Sequence, residues 1–593
     1  MPFLVAVVLV VAVHMLTAID AWTGVGLLAD DHQMVGGAIL RHRGDWTLAS
    51  AFFPTPVADA GVALYRPFID LLFWLEQPLF GIDACGYHVV NSGMHCGTAL
   101  LWFLLVRRWT GSLLAALAGA LLFVGWPGHS EATHWIAARV NVQSTFLLSL
   151  ALLLHDAGLR QVAASRWWRL GAAAALAMVA IGSKESAVFV VPLAALVSCS
   201  AVSWRQRITT MLPMLVATFA WLAWRAHCLG TWGSGVHYGW KAHRVGAKTC
   251  ADWLQVLLAP AHDGYMPIGV SWAMIVAHTA MLVVAMASWR RAGARLAAAV
   301  AATLLLLGYI AGVGLESMHL PSLENVRYTY EPALGLCVLL GLGVAALPRR
   351  AQWPTLLILV GLHAVGLDAN RQSWLRVAAV YARTHSDVLD IARATQQPLR
   401  VIDAPGVHDG AFGYLNGVTE FYFWSQTAPP GTNLRGMVSS TQEWPAVLKE
   451  LAALAANPTT APGPKPFVVQ WHDGALTPLT MQGQWPQQPW PGVTIAYARI
   501  ARERPFVGTQ LPVQVLVQTS QELRMRVAVN DGSRSWLGEV TQIAPGAMAM
   551  PHQVTVWLPS SLAVDVPITL GLVLEQGGQT ATLPLGVAVP AAR

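Results

Sequence analysis

The sequence predicts an α-helical multi-pass membrane protein with about eleven transmembrane helices, followed by a C-terminal region that combines an α/β layer with a β-sandwich. Of its 593 residues, 55% are hydrophobic and only 11% are charged, whereas a soluble domain carries about 25% charged residues. Apolar runs of membrane-spanning length follow one another as far as residue 370. Beyond that point polar and apolar residues alternate, with a period of two after residue 490.

The first apolar segment lacks a basic n-region and a clear cleavage site, so we expect a retained transmembrane helix rather than a signal peptide. The stretch 65–80 is interrupted by Asp70 and Glu76 and is predicted to be an interfacial or re-entrant helix. Residues 32–43 are predicted to form a second, amphipathic helix of this kind. The eleven spans are predicted at 3–28, 86–106, 111–126, 140–155, 169–183, 186–202, 208–226, 271–288, 296–314, 328–347 and 353–368.

Arginine is concentrated in alternate loops, which indicates the orientation of the chain because cytoplasmic loops carry an excess of Lys and Arg. With a cytoplasmic N-terminus, every predicted inner loop contains arginine: Arg107 and Arg108; Arg160, Arg166 and Arg169; Arg205 and Arg207; Arg290, Arg291 and Arg295; Arg349 and Arg350. The C-terminal region would then lie on the outer side. We therefore predict a cytoplasmic N-terminus and an outer C-terminal region. The low lysine and high alanine, arginine and tryptophan content indicates a GC-rich bacterium, so the predicted location is the bacterial inner membrane, with the C-terminal region in the periplasm.

Three domains are predicted: a transmembrane catalytic domain at 1–370, an extracytoplasmic α/β domain at 371–485 and a β-sandwich at 486–593. The α/β assignment rests on the strand-like runs LRVID and PFVVQW around a helical run, EWPAVLKELAALAA. The β-sandwich assignment rests on six later runs with two-residue alternation and on the turn signal Asn530-Asp531-Gly532.

Two adjacent aspartates, Asp30 and Asp31, follow the first span at the predicted outer face. Neighbouring carboxylates repel each other's charge, which raises the pKa of one of them. The pair suits an enzyme that draws its substrate from the lipid and needs a general base. The alternative is an ordinary acidic loop start.

Two polar groups follow along the chain. Tyr65 and Arg66 precede a proline at the start of the predicted interfacial helix, where the arginine is either functional or a snorkelling side chain. His88, Asn91 and His95 recur at spacings of three and four, so they share one helix face. Because such groups are costly against lipid, that face must point into the bundle. The alternative is a polar contact between helices.

Three further groups lie at later predicted outer ends. His129 precedes Glu131, Trp135 and Arg139, whose steps of four predict a shared helix face. Lys184-Glu185 is consistent with a phosphate contact or an internal ion pair. The last group is Arg327, Tyr328 and Tyr330, for which an aromatic-belt anchor is the alternative.

Together these groups describe an outer pocket in which cations neutralise a phosphate, aromatic rings contact a sugar or a lipid tail, and a carboxylate accepts a proton. The chain has no C-x-x-C pair among its six cysteines, and no zinc or redox motif is expected. It also has no basic run, so no nucleic-acid partner is expected.

In order and spacing these motifs resemble the GT-C superfamily of polyprenyl-phosphate-sugar-dependent glycosyltransferases, most closely the transmembrane-and-TPR O-mannosyltransferases and their bacterial relatives. The match covers roughly residues 1–370. Trp126 stands where the family has a histidine, Glu331 replaces an apolar residue, and no TPR array follows. These departures leave the role of the missing histidine and the recognition of the acceptor open.

The resemblance implies transfer of a sugar from a polyprenyl-phosphate carrier in the membrane to a hydroxyl of an extracytoplasmic acceptor, which is a protein, a lipid or a polysaccharide. It makes Asp30 the general base and gives Asp31 the role of orienting or tuning it. Arg66, Lys184 and Arg327 would hold the lipid phosphate. No metal is obligatory for this leaving group, although relatives that transfer oligosaccharides use a divalent cation, so a divalent cation stays open.

Two other classes of protein compete with this interpretation. One is a transporter or flippase of lipid-linked sugars, for which we find no inverted repeat. The other is a non-catalytic component of envelope glycan assembly whose β-domain does the work. Separately, Cys228 and Cys250 bracket a predicted outer loop, where they are either a disulfide in an oxidising compartment or two small apolar residues.

Overall fold

The structure is a computed structural model, and it describes most of the helical part and much of the C-terminal part of the chain. The described residues are 2–53, 65–161, 164–199, 203–230, 246–260, 266–288, 294–315, 325–395, 399–402, 407–408, 411–412, 467–472, 475–478, 487–491, 493–500, 510–532, 534–558 and 568–588.

The described residues up to 395 are almost entirely helical. The α-helices are α1 (Pro2–Gly24), α2 (Asp31–Arg43), α3 (Ala49–Phe52), α4 (Pro67–Phe80), α5 (Ala84–Thr110), α6 (Leu113–Val124), α7 (Ser130–His134), α8 (Arg139–Leu159), α9 (Ala164–Ser183), α10 (Val190–Ser198), α11 (Trp204–Leu229), α12 (Ala247–Leu258), α13 (Ile268–Ser288), α14 (Ala294–Leu315), α15 (Tyr330–Ala346) and α16 (Arg349–Thr395). Short 3₁₀ helices cover Pro127–His129, Ile136–Ala138, Glu185–Phe189 and Val326–Thr329.

Within the described residues, seven helical segments are long and apolar enough to cross a membrane. They are Pro2–Gly24, Ala84–Thr110, Ile136–Leu159, Trp204–Leu229, Ile268–Ala287, Ala294–Val313 and Val326–Ala346. An eighth candidate is the pair Leu113–Val124 and Pro127–His134, which is bent by 49° at its break. The predicted multi-pass helical class is therefore confirmed, while the predicted count of eleven spans is not.

Small residues allow the central helices to approach closely. Gly341 on α15 faces α6, where an added Cβ would lie 2.6 Å from the Ala115 carbonyl oxygen. In a membrane, helices associate largely by packing, and small residues at the contact permit it. Helices α6 and α15 accordingly form the buried centre of the bundle.

The two predicted interfacial helices are present as α2 and α4, and neither is among the candidate spans. Pro67 begins α4. Proline suits the first turn of a helix because the N–H that it lacks would have no acceptor within the helix there. Arg41 on α2 pairs with Asp70 on α4 at 3.2 Å. The His42 ring stacks on the Trp74 ring with centroids 5.1 Å apart. These contacts join α2 and α4 side by side.

The described C-terminal residues form strands. They are β1 (Leu399–Ile402), β2 (Val407–His408), β3 (Ala411–Phe412), β4 (Phe467–His472), β5 (Ala475–Pro478), β6 (Gln487–Trp490), β7 (Val493–Ile500), β8 (Gln510–Thr519), β9 (Leu523–Asn530), β10 (Ser535–Leu537), β11 (Thr541–Ile543), β12 (Gly546–Trp557), β13 (Ile568–Gln576) and β14 (Gln579–Ala588). Strands β1 and β4 pair in parallel, and β5 joins β4 antiparallel. The predicted helix between β1 and β4 lies outside the described residues.

Strands β6 to β14 form two antiparallel sheets that share one apolar core. One sheet has the order β10-β9-β13-β14 with β11 beside β9, and the other has the order β12-β8-β7-β6. The side chains of β9 alternate between buried and more accessible positions, as its two-residue pattern predicts. At the turn into β10, Gly532 has φ +91° and its N–H donates to Asn530 Oδ1 at 2.7 Å.

The chain divides into two compact units. One comprises Met1–His385 with Gly406–Gly431, and the other Ser386–Pro405 with Thr432–Arg593. The composition change near residue 370 falls inside α16, which continues without a break to Thr395. The division into domains at 1–370, 371–485 and 486–593 stays a prediction.

Candidate active site

The two aspartates at the start of α2 lie in different environments. Asp31 is completely buried, and its carboxylate accepts hydrogen bonds from the Leu28 N–H (2.9 Å) and the Ala137 N–H (2.6 Å). Burial raises the pKa of Asp31 well above its usual range, and these backbone donors oppose the rise. Asp30, at the N-cap position of α2, is only half-buried. Asp30 is therefore the more accessible carboxylate of the pair.

The predicted shared face of Glu131, Trp135 and Arg139 is wrong. Trp135 has an extended backbone (φ −108°, ψ 113°), so α7 ends at His134 and α8 begins only at Arg139. A spacing of four puts residues on one face only while the helix continues. Because it does not continue, Glu131 and Arg139 contact different parts of the protein.

Glu131 is buried and pairs with Arg327, which precedes α15. The Arg327 guanidinium donates to Glu131 Oε1, and its backbone N–H donates to Glu131 Oε2 at 2.5 Å. The same guanidinium lies 5.0 Å from the Trp135 ring centroid and 4.7 Å from the Tyr328 ring centroid. A charge pair flanked by two aromatic faces holds Arg327 in one place.

Arg139 is completely buried and enclosed by protein groups. Its guanidinium pairs with Glu76, and Nε donates to Asn91 Oδ1 at 2.5 Å. A third bond runs to the Tyr87 carbonyl oxygen at 2.9 Å. Substrate binding by Arg139 and Asn91 stays a prediction, but this geometry favours a structural role, in which α4, α5 and α8 are joined.

The predicted histidine face of α5 points into the bundle, as expected. His88 lies within hydrogen-bonding distance of two carbonyl oxygens, those of Val25 (3.1 Å) and Thr133 (3.3 Å). His95 Nδ1 lies 2.7 Å from the Tyr330 hydroxyl oxygen. This face of α5 therefore contacts the residue that follows α1, the helix α7 and the start of α15.

His129 is buried at the bend between α6 and α7. Its ring centroid lies 4.6 Å from those of His95 and Tyr330, and 4.4 Å from that of Phe123. His129 is therefore packed among aromatic rings.

Lys184 pairs with Glu331, the acidic residue that stands where the family has an apolar one. Its Nζ lies 2.8 Å from Glu331 Oε1 and also donates to Asn141 Oδ1. The Ser186 hydroxyl donates to the same Glu331 oxygen at 2.8 Å. Lys184 is thus neutralised by its own carboxylate, and it lies 5.7 Å from the Tyr328 ring centroid.

Two arginines share one glutamate at the remaining cationic position. Arg66 pairs with Glu185 Oε2 at 3.1 Å, and Arg225 pairs with Glu185 Oε1 at 3.3 Å. The Glu185 and Arg66 side chains are 32% and 23% exposed. Beside them, the Trp224 indole N–H donates to the Tyr65 hydroxyl oxygen at 2.9 Å. This group has one positive charge in excess.

Arg225 and Glu76 were not singled out in the sequence. The sequence could have indicated Arg225, because it is a lone arginine near the end of an apolar helix, and charged residues inside spans are rare and functional. Glu76 was used only to reject 65–80 as a span. The contribution of the Ala137 backbone had no signal, because any residue supplies an N–H.

No metal site is apparent in the part of the chain that the structure describes, where no three or more His, Cys, Asp or Glu side chains are grouped to hold an ion. Cys228 and Cys250 are free thiols in the structure, so the disulfide alternative is not supported. Cys228 is buried, and its sulfur lies 3.8 Å from the Phe52 carbonyl oxygen.

The helices and these contacts define a multi-pass membrane protein with a buried polar site at the ends of its spans. No family model matches the chain. The chain is 32% identical to the protein O-mannosyl-transferase Tmtc1 of Drosophila melanogaster over 142 residues, which are 24% of this chain and 16% of that protein. It is 30% identical to Drosophila Tmtc2 over 173 residues, which are 28% and 18% of the two chains. Over 110 residues it is 31% identical to human TMTC2, covering 18% and 13%.

These sequence similarities confirm the resemblance that the motifs predicted. The chain spans less than a fifth of the length of these curated relatives. Among solved structures, it is similar to ArnT from Cupriavidus metallidurans in the apo state (15% identity, TM-score 0.47, 79% of this chain and 96% of that one). It is also similar to the Archaeoglobus fulgidus oligosaccharyltransferase (11% identity, TM-score 0.43, 98% and 100%). Both structural similarities are weak.

Proposed function

We propose that this protein transfers a sugar from a polyprenyl-phosphate carrier to a hydroxyl group of an extracytoplasmic protein, lipid or polysaccharide. The observation that carries the proposal is the difference between the two aspartates. Asp31 is committed to two backbone N–H groups, while Asp30 is more accessible at the start of α2. The sequence similarity to O-mannosyl-transferases supports the reaction class.

Asp30 serves as the general base in this mechanism. It accepts the proton of the acceptor hydroxyl while the hydroxyl oxygen attacks the anomeric carbon of the sugar. The bond between that carbon and the phosphate oxygen breaks, and polyprenyl phosphate leaves with the bonding electrons. Attack opposite the leaving group inverts the anomeric centre. Asp31 acts as a positioning residue, because it holds the loop that carries Asp30.

The cation group formed by Arg66, Arg225 and Glu185 binds the carrier phosphate. Lys184 and Arg327 each have a carboxylate of their own, so their charges are already neutralised. The two arginines share one carboxylate. The excess positive charge matches a phosphodiester, and a guanidinium can make two parallel bonds to phosphate oxygens. Lys184, Glu331, Arg327 and Glu131 then support the shape of the pocket.

Arg66→Ala and Arg225→Ala are each expected to weaken the binding of undecaprenyl phosphate by about 10- to 100-fold, because a hydrogen bond to a charged group contributes about 1.5–3 kcal/mol. The dissociation constant would be measured on the purified full-length protein in nanodiscs. Arg43→Ala, an exposed arginine on α2, is the matched control. Unchanged affinity in both site variants would show that the carrier phosphate does not bind to Arg66 and Arg225.

The orientation can be tested independently of activity. Reporter fusions after Arg108, Arg207 and Arg350 are expected to show cytoplasmic activity, and fusions after Gly44 and Thr395 to show periplasmic activity. Alkaline phosphatase, which is active outside the cytoplasm, and green fluorescent protein, which is fluorescent inside, give opposite readouts. A cytoplasmic signal after Gly44 would place the acidic pair in the wrong compartment for the proposed reaction.

A further inference from the structure

The loop before the acidic pair holds a strained residue. Ala29 has φ +45°, in the left-handed region that residues with a Cβ adopt rarely. Its carbonyl oxygen accepts the His32 N–H at 3.3 Å, at the first turn of α2. A strained backbone of this kind persists only where surrounding contacts hold it. The conformation at Ala29 determines where the next residue, Asp30, points.

The side chain that follows the acidic pair packs against α16. The buried His32 ring stacks on the Tyr381 ring, with centroids 5.9 Å apart and planes 28° from parallel. The ring centroid of His385, one turn further along α16, lies 5.4 Å from that of His32. Burial lowers the pKa of His385 to about 4 and the pKa of His32 well below its usual range, which favours the neutral form of both rings.

Earlier turns of α16 also contact the chain just before the loop. Arg371 pairs with Asp20 near the end of α1. Leu375 packs so closely on Gly24 that an added Cβ would lie 2.6 Å from its Cδ2 atom. The helix therefore contacts both sides of the strained loop, at the end of α1 and at the first turn of α2.

We propose that Tyr381 and His385 are positioning residues that hold His32, and thereby keep the strained loop in the conformation that aims Asp30 at the acceptor hydroxyl. This inference rests on the proposed function. Asp31 fixes one side of the first turn of α2 through the Ala137 N–H. The aromatic contact from α16 fixes the neighbouring residue, His32. With either contact absent, the strain at Ala29 is released by rotation of the loop, and Asp30 moves with it.

The test measures sugar transfer and lipid binding in Tyr381→Ala, with Tyr381→Phe as the matched control that keeps the ring. Transfer would be followed as release of undecaprenyl phosphate from the lipid-linked sugars extracted from the native membrane. Tyr381→Ala is expected to lower kcat by at least about tenfold, because small misplacements of a catalytic group are costly. The dissociation constant for undecaprenyl phosphate should stay within about twofold, and Tyr381→Phe should retain most of the rate.

A second substitution separates positioning from general loss of packing. Glycine adopts positive φ without strain, so adding Ala29→Gly to Tyr381→Ala is expected to restore the rate by at least about threefold. No recovery, or an equal loss of lipid binding, would overturn the inference. If Tyr381→Ala does not fold, His385→Ala removes the second ring that contacts His32 and is compared in the same way.

Hydrogen–deuterium exchange tests the inference without an active enzyme. Backbone amides 28–34 are expected to exchange faster in Tyr381→Ala than in Tyr381→Phe, while amides 131–138 are unchanged. Equal exchange at 28–34 in the two variants would overturn the positioning role even if the wild-type protein transfers sugar. If amides 28–34 exchange faster in Tyr381→Ala but the wild-type protein transfers no sugar, the positioning contact is supported and the proposed function is excluded.

Discussion

Asp30→Asn is expected to reduce sugar transfer by about 10²- to 10⁴-fold, the contribution of a well-placed general base. The amide has nearly the same shape as the carboxylate but cannot accept the hydroxyl proton at neutral pH. Binding of undecaprenyl phosphate should be unchanged, because the cationic group at Arg66 and Arg225 is untouched. The measurement is the glycan content of a deletion strain that carries the variant, with transfer by the purified protein beside it.

Two other variants define the meaning of that result. Asp45→Asn changes an exposed aspartate just beyond α2 and should leave transfer at the wild-type level. Asp31→Asn should disturb the loop itself, because asparagine keeps only one acceptor oxygen for the two N–H groups of Leu28 and Ala137. Normal glycan modification with Asp30→Asn would exclude the proposed mechanism and favour a transporter or an assembly component.

Arg139→Met is expected to destabilise the protein by about 3–5 kcal/mol, because it leaves the buried Glu76 carboxylate without its cation. The loss would be measured as a fall in thermal midpoint of the full-length protein in detergent. The double variant Arg139→Met with Glu76→Gln should recover much of it, since no unpaired charge is then buried. Arg160→Met removes a half-exposed arginine from the buried Asp156, which keeps Arg108 as a cation partner, so it should cost less than Arg139→Met.

The stability loss of Arg139→Met is expected to depend on pH. Burial raises the pKa of Glu76, and Arg139 opposes that rise in the wild-type protein. Without the arginine the folded-state pKa rises further above the unfolded value. Stability is then retained at low pH and lost as pH increases through the folded-state pKa. The deficit of Arg139→Met should therefore be larger at pH 8 than at pH 5, and a constant deficit would contradict the role of Glu76.

Much of the fold follows from local sequence patterns. The long apolar runs became helices, and the six predicted late strands are β7, β8, β9, β12, β13 and β14. Hydropathy and two-residue alternation depend on near neighbours, which a sequence displays. The break at Trp135 does not, because the residues on both sides continue a pattern of four that a straight helix would also show.

The choice of ionic partners was the part that the sequence could not supply. Lys184 lies beside Glu185 in the chain but pairs with Glu331, while Glu185 pairs with Arg66 and Arg225. Such pairings depend on how distant helices pack, and one sequence carries no record of those distances. The motifs could therefore indicate which residues gather at the site, but not which of the cations retains an unneutralised charge.

The segment 131–137, which includes the helix break at Trp135, also bears on how the chain is made. Its polar groups are satisfied from far away: Ala137 by Asp31, Ile136 by Asn91 and Glu131 by Arg327. Irregular backbone at membrane depth is tolerated only when protein encloses it. Arg327 leaves the ribosome almost two hundred residues after Glu131. The segment therefore reaches its final structure only after Arg327 has been made, and until then the Glu131 carboxylate lacks that guanidinium partner.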